Sequence, residues 1–319
     1  MKYSIVVPAY NSGPWIDELV QRIGAVMNQY ASEDFELILV NDCSPDGVTW
    51  PAIVRNAAEN DWVRGIDLLY NVHQFRATIC GLEHASGDLV ITMDDDLQHP
   101  PEEIPKLLAA IEEDKDILCV MGTFETKKHN VLKNLGSKLY QNIMNRLYGK
   151  PADIKTSSFR VMRQELAQAI VKYRTMNPQM GPLTVALTKK LKNVAVRHAP
   201  RDRGSSGYSL VHMISTTLQS IVNASTAPLR LFSIIGLLSA GASMLIGLSY
   251  LIRWMAGGIG VAGYTSQILL IIFFGGMSLA GIGLLGEYVA RIISEISGPQ
   301  RYQVKDYTNL EPMAGEGQK

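Results

Sequence analysis

Between Leu231 and Gly286 the chain carries a single Asp, Glu, Lys or Arg side chain, Arg253. Leu231 to Ile252 runs about 22 residues without a charge, which at about 1.5 Å per residue spans roughly 30 Å of hydrocarbon. A second apolar run extends from Ser266 to Gly286 and continues toward Ile293, and the glycine-rich stretch Ala256 to Gly263 supplies a turn between the two. The pattern predicts a two-helix membrane hairpin with both ends on one side. Two buried helices of a soluble protein are the weaker reading, because soluble helices of this length show a charged face. Small residues such as Gly236, Gly241, Gly275 and Gly283 would let the spans pack closely.

The basic residues orient the hairpin. Arg230, Arg291, Arg301 and Lys305 flank its outer ends, and only Arg253 lies near the connection, so both termini are expected in the cytoplasm. Lys+Arg and Asp+Glu both number 30, which leaves no global field to draw the chain to nucleic acid. Cys43, Cys80 and Cys119 are widely spaced and form no CxxC pair, which fits a reduced compartment better than a disulfide or zinc framework. No secretory leader is expected: Pro8, Asn11 and Gly13 end the first apolar run too early.

The first two-thirds of the chain reads as a water-soluble α/β domain. Short apolar runs recur at Ser4 to Pro8, Phe35 to Val40, Gly65 to Leu69, Asp88 to Met93 and Asp116 to Met121, most of them separated by helical stretches such as Trp15 to Met27. This alternation predicts a mostly parallel sheet whose ligands sit beyond the carboxyl ends of its strands. Those ends carry Tyr10 and Asn11, Asp42, Asn71, and Asp94 to Gln98.

Asp94-Asp95-Asp96 is the most informative of these groups. Asp94 and Asp96 flank one residue just past a strand and can hold a hard divalent cation, Mg²⁺ or Mn²⁺, with positions left for diphosphate oxygens. An acidic turn before a helix is the competing reading, because Pro100, Pro101, Glu102 and Glu103 resemble a helix start. Asp42 suits either a nucleoside contact or an Asx-turn with Ser44 and Gly47. His73, His84, His99 and His198 lack ligand spacing and fit packing or surface roles. Arg201-Asp202-Arg203-Gly204-Ser205-Ser206-Gly207-Tyr208 combines fixed positive charge with flexible backbone just before the membrane segment. It suits a lipid phosphate, or a basic loop held to anionic headgroups. Leu210 to Val222 and Asn134 to Tyr148 have amphipathic spacing that suits the membrane interface or the soluble core equally.

These residues resemble a known family, the inverting polyprenyl-phosphate glycosyltransferases of the GT-A class. Val6 to Asn11 resembles the family's first strand and nucleotide loop, and Asn41 to Gly47 its second. Asp94-Asp95-Asp96-Leu97-Gln98-His99-Pro100-Pro101-Glu102 resembles its metal motif, and Gly283 to Arg291 the end of its last span. The resemblance implies a GT-A Rossmann-like, mostly parallel sheet followed by juxtamembrane helices and the transmembrane hairpin. The implied boundaries are a catalytic domain over 1–200, an acceptor loop and juxtamembrane helix over 201–228, two spans over 229–293 and a cytoplasmic tail over 294–319.

The implied activity is transfer of a sugar from a nucleotide-diphosphate sugar, such as UDP-glucose, to undecaprenyl or another polyprenyl phosphate, with inversion, at the cytoplasmic membrane. By the same resemblance Asp94, Asp96 and Gln98 serve Mg²⁺ or Mn²⁺. Pro8, Tyr10, Asn11, Asp42, Asn71 and Asp94 contact the nucleotide, and Asp95 sits beside the sugar or the metal. Arg201 and Ser206 hold the acceptor phosphate, with Arg203 beside them and Arg201 counted in the catalytic set, while Arg160 suits either a phosphate contact or a structural salt bridge. A homo-oligomer is also implied, a tetramer among the options. The chain departs from the family pattern at Ser12, Asn41, Tyr70, His73, Ser158 and Gly207. A processive polysaccharide synthase is disfavoured by the lack of a QxxRW-type motif and by only two spans. A non-catalytic nucleotide-sugar-binding scaffold is disfavoured by the intact Asp94, Asp96 and Gln98.

Overall fold

The computed structural model describes residues 2–31, 34–123, 154–173, 179–197, 263–297 and 302–311, with isolated positions between 234 and 256. The chain divides into two compact units. One comprises Met1–Gly207 with Pro299–Lys319, the other Tyr208–Gly298.

The first unit is an eight-stranded sheet with helices on both faces. In chain order its elements are β1 (Tyr3–Ala9), α1 (Gly13–Ala31), β2 (Phe35–Asn41), α2 (Thr49–Glu59), β3 (Val63–Leu68), α3 (His73–His84) and β4 (Leu89–Thr92). A 3₁₀ turn at Pro101–Glu103 leads into α4 (Ile104–Glu112). There follow β5 (Cys119–Thr123), β6 (Arg160–Arg163), α5 (Gln164–Lys172), α6 (Met180–Leu187), β7 (Leu191–Ala195) and finally β8 (Val304–Thr308). The strand order is β7-β5-β6-β4-β1-β2-β3-β8.

Both faces of β1 are buried, which is why its sequence is a continuous apolar run rather than an alternating one. The period of two still sorts its side chains. Ile5 and Val7 join a core with Ile16, Leu19, Ile23 and Met27 of α1, while Val6 joins the opposite core with Ile38, Val40, Ile66 and Ile79. The buried positions of α1 recur at three- and four-residue intervals, so one stripe of that helix faces the sheet.

The β1-β2-β3-β4 pairing is parallel, as the alternation of strands and helices predicts. The rest of the sheet is mixed. β6 inserts antiparallel between β4 and β5, and β8 pairs antiparallel with the outer edge of β3. Three strands, β6, β7 and β8, lie outside the apolar runs picked out in the sequence. β8 falls inside the stretch expected to be a tail. Its residues cover the β3 edge, and Tyr302 is buried in the second core.

In the second unit the described helix is α7 (Tyr264–Ser297), 34 residues long. It contains the second apolar run. Its described side chains leave Ile271, Phe273, Ile282, Leu285 and Val289 exposed. Counting only described residues, no helix is long and apolar enough to cross a membrane. Most of the first expected span lies outside the described residues, as do the two amphipathic stretches.

Candidate active site

A cleft of about 1050 Å³ opens at the carboxyl ends of the central strands. It is lined by Pro8 to Ser12 at the end of β1 and just past it, Asp42 after β2, Asn71 after β3, His73 and Gln74 at the start of α3, and Asp94 to Leu97 after β4, with Trp15, Glu18 and Arg22 of α1 beside them. The site is therefore assembled from four successive strand ends, as a parallel sheet requires. Asn11, Cys43, His73 and Leu97, one on each of these turns, have positive φ values of 55°, 52°, 65° and 56°. Non-glycine residues seldom adopt this conformation, and such strain concentrates where the backbone must shape a ligand site.

The acidic turn is held from three directions. Asp94 accepts the Ser158 hydroxyl at 2.7 Å and the Gln74 amide on its other oxygen. His99 Nδ1 stands 3.7 Å from Asp94, with its ring stacked on Phe159 at 5.3 Å. Asp95 accepts the backbone N–H of Tyr10 at 3.1 Å and the Ser12 hydroxyl, which joins the β4 turn to the β1 turn. Burial pushes its carboxyl up to about 6, against the lowering effect of those two hydrogen bonds, and the neighbouring Asp94 and Asp96 add to the rise. Asp96 is exposed and accepts the backbone N–H of Gln98 at 3.1 Å.

Asp42 is 3 % exposed, and its carboxylate accepts the N–H of Val72 at 2.7 Å. Burial raises its pKa although that bond opposes the shift. The expected Asx-turn with Ser44 and Gly47 does not involve Asp42. Asn41 takes the Ser44 hydroxyl at 2.6 Å, and Asp46 accepts the N–H groups of Val48 and Thr49 where α2 begins. Asn71 donates to the carbonyl of Asp42 at 3.0 Å, so both residues brace the same turn while facing the cleft.

Of the residues expected to contact a nucleotide, Pro8, Tyr10, Asn11, Asp42, Asn71 and Asp94 are all brought to one cleft. Gln98 is half-buried and is not part of its lining. Arg160 does not line it either. It is buried in β6 at 3 % exposure, donates from Nη1 to the Thr184 hydroxyl at 3.2 Å, and lies near enough to Asp94 to feel its charge. Arg201, Arg203 and Ser206 lie outside the described residues. Sequence reasoning missed Ser158 and Gln74 as partners of Asp94. Ser158 stands out as a departure from the family pattern, and Gln74 carries no signal beyond being a polar residue at the start of a helix.

Among the described residues no group of three His, Cys, Asp or Glu side chains is disposed to hold a metal ion. The donor chemistry of Asp94, Asp96 and the Gln98 amide is all oxygen, which fits a hard divalent cation that keeps sites open for a diphosphate.

Residues 4–171 match the family described as Glycosyl transferase family 2. An undecaprenyl-phosphate 4-deoxy-4-formamido-L-arabinose transferase of Shewanella sediminis is 33 % identical over 307 residues, covering 95 % of this chain and 91 % of the relative. A protein of the same description from Aeromonas hydrophila is 32 % identical over 303 residues, covering 94 % and 91 %. Among solved structures, glucosyl-3-phosphoglycerate synthase from Mycobacterium tuberculosis, in complex with Mn²⁺, UDP-glucose and glycerol 3-phosphate, superposes with a TM-score of 0.51 at 16 % identity. That match covers 71 % of this chain and 79 % of the other and speaks to the fold alone.

Proposed function

The chain belongs to glycosyl transferase family 2 and is a glycosyltransferase, and from that premise we propose that it moves a sugar from a nucleotide-diphosphate sugar onto a polyprenyl phosphate at a membrane surface. The observation that carries the reading is the cleft itself. Asp94, Asp95 and Asp96 line one cleft with Tyr10, Asn11 and Asp42 at the ends of parallel strands, in a chain matched along nearly its whole length by relatives named for an undecaprenyl-phosphate acceptor.

In this reading Asp42, Asn71 and the Pro8–Asn11 turn hold the nucleoside. Asp94, Asp96 and Gln98 would hold Mg²⁺ or Mn²⁺, which when bound offsets the negative charge of the diphosphate leaving group. Asp95 keeps the acidic turn in register with the β1 turn and faces the sugar. A phosphate acceptor is already anionic near neutral pH, so no strong general base is needed. Catalysis then rests on positioning and charge, with inversion at the anomeric carbon. Arg201, Arg203 and Ser206 receive the acceptor phosphate. Arg160 acts through its buried charge near Asp94 rather than by direct contact.

The hairpin of 231–252 and 266–286 anchors the enzyme in the cytoplasmic membrane with the catalytic unit on the cytoplasmic side. The uncharged sequence and the exposed apolar side chains of α7 support this anchoring. The domain boundaries follow, except that 304–308 is assigned to the catalytic fold. UDP as the nucleotide, glucose as the sugar and a homo-oligomeric assembly belong to the same proposal. Purified enzyme incubated with a panel of nucleotide sugars and undecaprenyl phosphate, read by mass spectrometry, tests it. A prenyl-linked sugar phosphate is expected, and glycosylation of soluble acceptors alone would overturn the reading.

A further inference from the structure

β8 does more than cover a sheet edge. Its register against β3 runs Gly65↔Thr308, Ile66↔Tyr307 and Asp67↔Asp306, then skips to Leu68↔Val304. Lys305 is the extra residue at that irregularity. A bulge of this kind re-aims a side chain, and here the Lys305 ammonium reaches Asp67 at 3.0 Å. The Asp67 side chain is only 4 % exposed, so its charge needs this partner.

The chain of contacts continues inward. The Asn41 amide donates to the other oxygen of Asp67 at 2.6 Å. The Asn41 carbonyl oxygen accepts the Ser44 hydroxyl at 2.6 Å, and Ser44 Oγ in turn accepts the backbone N–H of Asn11 at 3.0 Å. Asn11 has positive φ and lines the cleft. Each link has one donor and one acceptor. Asn41 serves because an amide can do both: an aspartate there would set two carboxylates side by side against Asp67.

We propose that Lys305, through Asp67, Asn41 and Ser44, is a positioning residue that holds the strained Asn11 turn in shape for the donor. The strand after the last apolar helix would thereby be a working part of the donor site. The inference rests on the cleft being the donor site, and it adds the tail strand to that site's machinery.

The test uses the full chain in lipid nanodiscs with two readouts. One is hydrogen exchange in the peptide that contains Asn11 to Gly13, and the other is donor KM against kcat. Lys305→Ala should speed exchange there and raise donor KM about three- to tenfold, with acceptor KM unchanged. Lys305→Arg should restore both. Asn41→Asp should show the same donor defect, and Asn41→Asp with Asp67→Asn should relieve it, because donor and acceptor merely exchange places. Unchanged exchange at Asn11 in Lys305→Ala, or failure of Lys305→Arg to restore it, would overturn the relay. Faster exchange in a protein that transfers no sugar to prenyl phosphate would leave the relay standing and sink the reading of the site.

Discussion

Ser158, two residues before β6, donates its hydroxyl to Asp94, just past the end of β4, at 2.7 Å. The antiparallel β4-β6 pair, with Thr92 opposite Arg160, brings the two together across 64 residues of sequence. One lone pair of Asp94 is thereby fixed, which orients the carboxylate toward the cleft.

Removing that hydroxyl takes away one of the two side-chain hydrogen bonds that orient the carboxylate and leaves the Gln74 amide on its other oxygen. Ser158→Ala should raise the Mg²⁺ or Mn²⁺ concentration that gives half-maximal activity by about tenfold or more, as loss of a ligand's outer hydrogen bond does elsewhere. Titrating activity with Mn²⁺ checks it, with Ser158→Thr expected near wild type.

Asp95 gives a prediction with a definite sign. Its folded pKa is raised to about 6, above the usual carboxylate value near 4. Between those two pH values the folded state binds more protons than the unfolded, so this group lowers stability as pH rises through the window and holds it low above 6. Asp95→Asn mimics the protonated form and can still accept from Tyr10 and Ser12. In chelator at pH 7.5 its Tm should exceed wild type by roughly 2–4 °C. At pH 4 the two should converge. Thermal melts across pH 4 to 8 decide it.

Gly87, in the turn before β4, is packed against backbone. A Cβ there would meet Ser4 N at 2.7 Å and Tyr3 C at 2.8 Å, and β1 has no room to retreat because both its faces are core. Gly87 also donates its N–H to Ser4 Oγ at 2.8 Å, and Ser4 in turn bonds the buried Glu36. Gly87→Ala should destabilise the catalytic unit by about 1–3 kcal/mol, read by denaturant midpoint.

How far the sequence discloses the molecule depends on the range of the interaction involved. The runs Ser4 to Pro8, Phe35 to Val40, Gly65 to Leu69 and Asp88 to Met93 are apolar because their strands are buried on both faces, and they emerge as β1 to β4. Their carboxyl ends locate the cleft for the same reason. Local signals fail for β6 and β8. Arg160-Val161-Met162-Arg163 and Val304-Lys305-Asp306-Tyr307-Thr308 are short and partly charged, and their partners stand far away in sequence. Asp42 shows a subtler limit. Its neighbours suggest an Asx-turn, but the N–H it binds belongs to Val72, 30 residues on, while Asn41 and Asp46 make the local turn contacts. The acidic turn was legible as a motif, whereas its braces Ser158 and Gln74 were not.

The most direct measurement is transfer of label from a nucleotide sugar to undecaprenyl phosphate in nanodiscs, comparing wild type with Asp94→Asn and Asp96→Asn under added Mn²⁺ and under chelator. Wild type should form the lipid product only with the cation, and each substitution should cut the rate by at least about 100-fold. Equal rates with chelator, or wild-type transfer by both variants, would contradict the assignment of this cleft as a metal-assisted site for lipid-phosphate glycosylation.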